Sequence, residues 1–397
     1  MTQRELQGKP SNGFVFDDLD VDVLRARRTL KWSRYGPEVL AAWVAEMDFP
    51  TAPVVQAAIA NAVRREQFGY PVDDVDTGLR QAVAAWSEEH YGWAVDLDRV
   101  HLLPDVLRGV ELAIEFFSPP GSPVILPTPA YMPFFRVPGM VERDIIQVPL
   151  LHDGTRYSLD LDGIGAAFAA GGGALILCHP YNPVGRVFSR QELEALAQVV
   201  DQHGGRVISD EIHAPLTYPG AQHLPYASLS DTTAAHTLTF TAATKAWNLP
   251  GLKCAVAITS SDADEKAWQD IAGHTHGASS LGIEASVSAF TDGRPWLDAA
   301  LAYLDVTRNW FAGLLDEHLP LVRYTPPEAT YLAWLDCREL KLPVEPAEFF
   351  LDRAKVAVNA GPSFGAPAQG FVRLNLATSR SLLERMVTAM GAAIPEP

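Results

Sequence analysis

Through the middle of the chain, short apolar runs alternate with stretches in which apolar residues recur every three or four positions. The runs Pro123–Leu126, Ala174–Cys178, Arg206–Ser209, Thr237–Thr241 and Leu252–Ile258 predict strands. Val106–Phe117 and Arg190–Gln202 predict helices between them. In the first of these, Val106, Val110, Ala113, Ile114 and Phe117 share one face. Strands of continuous apolar character are those buried on both sides. Their alternation with helices therefore predicts an α/β fold with a mainly parallel sheet. Gly171-Gly172-Gly173 reads as a turn leading into the run that starts at Ala174.

The flanks are patterned differently. Residues 1–60 include a loop-like segment, Trp43-Val44-Ala45-Glu46-Met47-Asp48-Phe49-Pro50. After residue 290, helical spacing alternates with short apolar segments such as Tyr331–Leu335 and Phe371–Leu376. At 397 residues the chain exceeds the usual size of one core. We expect a large domain over 61–290 and a smaller α+β domain formed by 1–60 together with 291–397, closing over the first.

Composition narrows the function classes. A formal net charge of −17 disfavours nucleic acid as a partner, so any anion-binding pocket needs its own cations. No stretch is long and apolar enough to cross a membrane. Arg4 and Lys9 precede no apolar segment of the secretory type, so a cytoplasmic location is expected. Three scattered cysteines, Cys178, Cys254 and Cys337, fit a reducing compartment and form neither a disulfide framework nor a metal set. His274 and His276 are close together but lack a third ligand at suitable spacing.

Three segments carry the chemistry: His179-Pro180-Tyr181-Asn182-Pro183-Val184-Gly185-Arg186, Ser209-Asp210-Glu211-Ile212-His213 and Thr244-Lys245-Ala246-Trp247-Asn248. In order they offer an amide, a carboxylate behind an apolar run and a lysine after a strand. That set suits pyridoxal 5'-phosphate (PLP): a Schiff-base lysine, an acid for the ring nitrogen and an amide for the phenolic oxygen. Lys245, desolvated at a strand end, can lose its proton and condense with an aldehyde. Asp210 stands at the carboxyl end of an internal strand, where α/β folds place ligands, with Glu211 as its rival. Asn182 lies in an Asn-Pro turn that is open to a cis Pro183.

For the phosphate, the first helical amides of Val106 and Leu107 form an anion site, with Thr244 and Lys253 as further contacts. Asp105 just before them is awkward, because its carboxylate repels a dianion or competes for the same amides as a helix cap. Tyr131, an aromatic following a strand, fits either stacking on a cofactor ring or simple packing. Arg373, a lone charge in the apolar run Val372-Arg373-Leu374-Asn375, needs a partner, either a substrate α-carboxylate or an internal salt bridge.

These residues resemble the fold-type I PLP enzymes of the class I/II aminotransferase superfamily, and more narrowly the MalY/PatB-type cystathionine β-lyases. The resemblance runs from Trp43–Phe49 through Phe68-Gly69-Tyr70 and the three central segments to Arg373-Leu374-Asn375. It implies Lys245 as the Schiff-base lysine, Asp210 as the ring-nitrogen partner, Asn182 as the phenolic-oxygen contact, Tyr131 as the stacking ring and Arg373 as the carboxylate clamp. It further implies a homodimer in which Tyr70 reaches the neighbouring subunit's cofactor phosphate. His213 stands where many aminotransferases carry a tyrosine. Asp105 replaces a usual glycine, and Ala242 stands where relatives often have a hydroxyl.

The activity implied is α,β-elimination from L-cystathionine or related cysteine S-conjugates. The alternatives are transamination at the same site and a regulatory binding role.

Overall fold

A computed structural model describes residues 13–71 and 77–395. Arg4, Lys9 and the rest of the first twelve residues of the expected small domain lie outside the described residues. A seven-stranded sheet carries the architecture. Its strands, in chain order, are β1 (Val100–Leu103), β2 (Val124–Thr128), β3 (Ile145–Pro149), β4 (Ala174–Cys178), β5 (Arg206–Asp210), β6 (Thr237–Thr241) and β7 (Ala255–Thr259). In space they run β1-β7-β6-β5-β4-β2-β3. The pairings from β6 across to β3 are parallel, whereas β7 is antiparallel to both β6 and β1. This is the mainly parallel α/β fold that the alternation of runs and helices predicts.

The inner strands are buried along their whole length in β2 and β4, as a parallel sheet covered on both faces requires. Helices α1 (Val106–Phe117) and α2 (Arg190–Gln202) follow β1 and β4, with the bounds read from the sequence. α2 starts at a reciprocal cap: the Ser189 hydroxyl accepts from the Glu192 amide while the Glu192 carboxylate accepts from the Ser189 amide. It buries Leu193, Leu196, Ala197 and Val200, at helical spacing. The expected Leu252–Ile258 strand is shorter at its start. Pro250–Leu252 form a 3-10 turn, Lys253 adopts a left-handed backbone at φ 51°, and pairing begins only at Ala255.

A second, all-antiparallel sheet lies later in the chain, in the order β8 (Arg323–Tyr324), β9 (Leu332–Asp336), β11 (Phe371–Asn375), β10 (Asn359–Ala360). Its core draws on both ends of the chain: Leu24, Trp32 and Leu40 pack in one cluster with Phe311, Leu335 and Met386. Leu40–Ala41 pairs in parallel with Val356–Ala357. Among the described residues no helix is long and apolar enough to cross a membrane.

The strand directions place the chemistry. The carboxyl ends of β2, β4, β5 and β6 share one edge of the sheet, the edge at which α/β folds bind ligands. Because β7 runs the other way, its start and the preceding Lys253 come to that same edge. The end of β1, with Pro104 and Asp105, joins them.

Candidate active site

A cavity of about 180 Å³ opens at this edge. Its walls include Tyr131 after β2, Cys178 at the end of β4 with Asn182 beyond it, and Asp210 at the end of β5 with His213 beyond it. Thr244 and Lys245 after β6, Lys253, and Asp105–Leu107 at the start of α1 complete it. The structure thus gathers ten of the eleven site residues named from sequence or resemblance near one edge, nine of them lining the cavity itself. Arg373 reaches the cavity through Asn182.

Lys245 follows β6 in a tight turn that returns through Trp247 N–H to the Ala243 carbonyl and Leu249 N–H to the Thr244 carbonyl. The fully buried Trp247, whose Nε1 donates to the Gly293 carbonyl at 3.0 Å, anchors this turn in the core. The Lys245 amine donates to the Ala45 carbonyl at 2.9 Å. Burial lowers its pKa from 10.5 to about 8; Arg373 adds to the effect, while Asp210 and Glu46 oppose it. An amine poised there is free of its proton far more often near neutral pH than a surface lysine.

Asp210 is the last residue of β5, side by side with Cys178 of β4. Its Oδ1 accepts from the Ile212 amide at 3.1 Å. Burial pushes its pKa up from 3.8 to about 7; the Ile212 bond and Lys245 pull it down, and Glu211 adds to the rise. The rival acid is engaged elsewhere. Glu211 Oε1 accepts from the Ser209 hydroxyl at 2.8 Å and the Tyr226 amide at 3.0 Å, and its Oε2 meets His223 at 2.9 Å. Strand alternation thus aims Asp210 at the cavity and sends Glu211 into the protein.

Asn182 sits in a loop closed by the Gly185 amide donating to the Tyr181 carbonyl at 2.7 Å and the Tyr181 amide donating to the Arg186 carbonyl at 2.8 Å. The Asn182–Pro183 peptide is cis, as are His179–Pro180 and Thr128–Pro129. Arg373 donates to Asn182 at 2.9 Å. A guanidinium has only donors, so the amide oxygen faces it and the amide N–H₂ is left for another acceptor.

Arg373 is 2 % exposed. Besides Asn182, it donates to the Trp43 carbonyl at 3.2 Å and to Asn359 Oδ1 at 2.6 Å. Every one of these acceptors is neutral, Nε has no partner, and among the described residues no carboxylate pairs with it. Burial lowers its pKa to about 10, so it stays charged at neutral pH. A buried cation without a counter-ion marks a place for a carboxylate.

His213 is buried. Desolvation, with Lys245 and Arg373 nearby, holds its pKa at about 3, so the ring is neutral, and its Nδ1 has no partner among the described residues. Tyr131 lies within the fields of Arg373 and Asp210, and burial raises its hydroxyl pKa.

At the far end of the cavity Asp105 does not turn aside. Its Oδ1 caps α1 by accepting from the Arg108 amide at 2.9 Å, and its Oδ2 pairs with Lys253 at 2.8 Å. Ala242 is a buried core residue and does not line the cavity. Tyr70 is not brought to this cavity within one chain. It is fully exposed, 102 %, beside a separate surface cleft that it shares with Phe68 and His276.

Sequence reasoning had not singled out the residues that close the site over Lys245. The carbonyl of Ala45 also accepts from the Tyr331 hydroxyl at 3.0 Å. Asn248 exchanges two hydrogen bonds with Met47, each at 2.8 Å, and Asn375 donates to the carbonyls of Val44 and Glu46. The acceptors are main-chain carbonyls, which carry no residue-type signal. Only the polar residues Asn248, Asn359 and Asn375 within apolar surroundings could have pointed to them.

The donor set fits a flat pyridine bearing an aldehyde and a phosphate. An amine of lowered pKa would meet the aldehyde, an acid without a cationic hydrogen-bond partner among the described residues would meet the ring nitrogen, an amide N–H₂ would meet a phenolic oxygen, and helix amides would meet the phosphate.

Residues 44–390 match the family described as Aminotransferase class I and II. The cystathionine beta-lyase of Corynebacterium glutamicum is 42% identical over 94% of this chain and 99% of its own length. Cystathionine beta-lyase PatB of Bacillus subtilis is 32% identical over 92% of this chain and 97% of its own. The crystal structure of the PLP-bound C-S lyase from Staphylococcus hominis superposes with a TM-score of 0.89 at 27% identity. It covers 98% of this chain and 100% of its own.

Proposed function

The chain belongs to the aminotransferase class I and II family, and on that footing we propose that it is a PLP-dependent carbon–sulfur β-lyase. It takes L-cystathionine or a related cysteine S-conjugate to a thiol, pyruvate and ammonia. The observation that carries this reading is the convergence of Lys245, Asp210 and Asn182 on one buried cavity next to an Arg373 that lacks a counter-ion.

Bound PLP supplies an aldehyde that condenses with amines and a ring that takes up the electron pair left at Cα. The chain's own groups do the rest. Arg373 grips the α-carboxylate through its two-pronged face, and Asn182 and Asn359 fix the plane of that fork. Lys245, with a pKa near 8, accepts the Cα proton at Nζ as general base. Asp210 would pair with the ring nitrogen, whose positive charge would hold it as a carboxylate against the effect of burial on its proton. Asn182, its amide oxygen held by Arg373, would donate its amide N–H to the phenolic oxygen. Tyr131 would cover one face of the ring, and the neutral His213 lines the pocket without adding charge. Val106, Leu107, Thr244 and Lys253 hold the phosphate end.

We assign the cofactor cavity to 61–290 and the closing segment to 1–60 with 291–397. Within the closing segment, Ala45 supplies a carbonyl to Lys245, and Arg373 and Asn375 donate to the carbonyls of Trp43 and Val44. The exposed aromatic pair Phe68 and Tyr70 supports a homodimer in which Tyr70 serves the neighbouring site. The three free, buried cysteines support a cytoplasmic setting.

The test is direct. Purified protein with PLP and L-cystathionine releases pyruvate, ammonia and a thiol in equal amounts. Formation of pyridoxamine phosphate and a keto acid that keeps its sulfur would assign transamination instead. The reading fails if no cysteine thioether yields pyruvate.

A further inference from the structure

We propose that Asp105 is a built-in competitor for the cofactor's phosphate and weakens the hold of this chain on PLP. The inference rests on the cofactor reading above. At the phosphate end of the cavity the charged side chains are Lys253 and Asp105, and the structure pairs them with each other at 2.8 Å. The same carboxylate takes the Arg108 amide through its other oxygen, one of the first-turn donors an anion would use.

One side chain thus occupies both the cation and part of the helix N-terminus that a phosphate needs. The two charges cancel, so a dianion arriving at this end meets no net positive charge apart from the helix amides. The partial positive charge of a helix N-terminus is already balanced by its own cap.

The contact is open to solvent, with side chains 58% and 39% exposed for Lys253 and Asp105. An ion pair in that setting contributes little, so phosphate can displace it, but the displaced carboxylate stays tethered to the α1 cap beside the ligand. A unit negative charge beside a dianion in a watery, salt-screened setting changes a binding constant by roughly tenfold.

Asp105→Asn isolates this effect. Asparagine caps a helix as well as aspartate does, so α1 keeps its start while the charge is removed and Lys253 is released. The holoenzyme and this variant are dialysed to equilibrium over a series of PLP concentrations, and retained cofactor is read by absorbance, without any turnover. A parallel arm uses pyridoxal, which lacks the phosphate.

The expected result is a PLP dissociation constant about tenfold lower in the variant, with pyridoxal binding unchanged. Equal PLP affinities within twofold, weaker binding by the variant, or an equal gain for pyridoxal would each overturn the proposal. Loss of pyridoxal binding together with PLP binding would report a damaged fold, and Asp105→Gly then repeats the comparison at the same position. If neither wild type nor variant retains PLP at all, it is the cofactor reading that fails.

Discussion

Asp210 in the cofactor-free protein is a carboxyl whose burial opposes its charge, and replacing it by asparagine exposes that cost as a function of pH. A rise in pKa from 3.8 to about 7 corresponds to about 4 kcal/mol at about 1.4 kcal/mol per pH unit. The sign follows from proton linkage. Below pH 3.8 the group is neutral whether folded or unfolded, and it carries no penalty. Between 3.8 and 7 the unfolded chain releases the proton while the fold retains it, so stability falls as pH rises, and the loss is complete once pH passes 7. Asparagine keeps the shape and can still accept from the Ile212 amide, but it does not titrate. The variant should therefore be more stable than wild type by about 2 kcal/mol at pH 5.5 and by about 4 kcal/mol at pH 8. Urea melts of the two cofactor-free proteins across that range, above the sequence pI of about 5.0, measure the gap. Saturating PLP should reverse the ranking, because the ring nitrogen supplies the missing cation and wild type gains more from binding. A gap that stays flat with pH, or a variant less stable at pH 8, would refute the reasoning.

Other outcomes follow from the same contacts. Arg373→Lys keeps the charge but not the fork that spans Asn182 and Asn359, and should raise KM for the amino-acid substrate about 100-fold, with a smaller fall in kcat; an unchanged KM in steady-state kinetics contradicts the clamp. Gly109→Ala places a Cβ 2.3 Å from Phe240 and 2.8 Å from Leu103, and overpacking should cost about 1–3 kcal/mol despite alanine's better helix propensity. A thermal melt that stays level or rises would show that β6 yields there. Because His213 is neutral throughout the working range, His213→Asn should leave the acidic limb of the pH profile of kcat/KM in place; a moved limb assigns His213 a proton. Mixing Lys245→Ala with Tyr70→Ala protein should restore part of the lyase activity that each lacks alone, and no recovery after subunit exchange argues against sites shared between subunits.

Much of this was legible because the chemistry lies at the ends of elements with strong patterns. Val106–Phe117, Arg190–Gln202, Ala174–Cys178 and Thr237–Thr241 occupy the bounds that their periodicity predicts. The turn residues after the strands then fall at one edge by topology alone. Two features were hidden. The direction of the Ala255–Thr259 strand depends on its neighbours, because an apolar run looks the same parallel or antiparallel, and that direction is what carries Lys253 to Asp105. The closure over Lys245 uses carbonyls of Trp43, Val44, Ala45 and Glu46, whose side chains say nothing about it. The sequence favours Asp210 over its neighbour Glu211, and the side-chain alternation of one strand end separates their surroundings.

The central claim is that Lys245 holds PLP in a site that eliminates thiols. Borohydride treatment of the PLP-loaded protein, followed by peptide mass mapping, tests it most directly. One cofactor-derived mass increment is expected, on the peptide bearing Lys245, lost in Lys245→Ala and diminished when L-cystathionine is added just before reduction. Labelling of a different lysine, or none in a protein that still releases pyruvate from L-cystathionine, would contradict it.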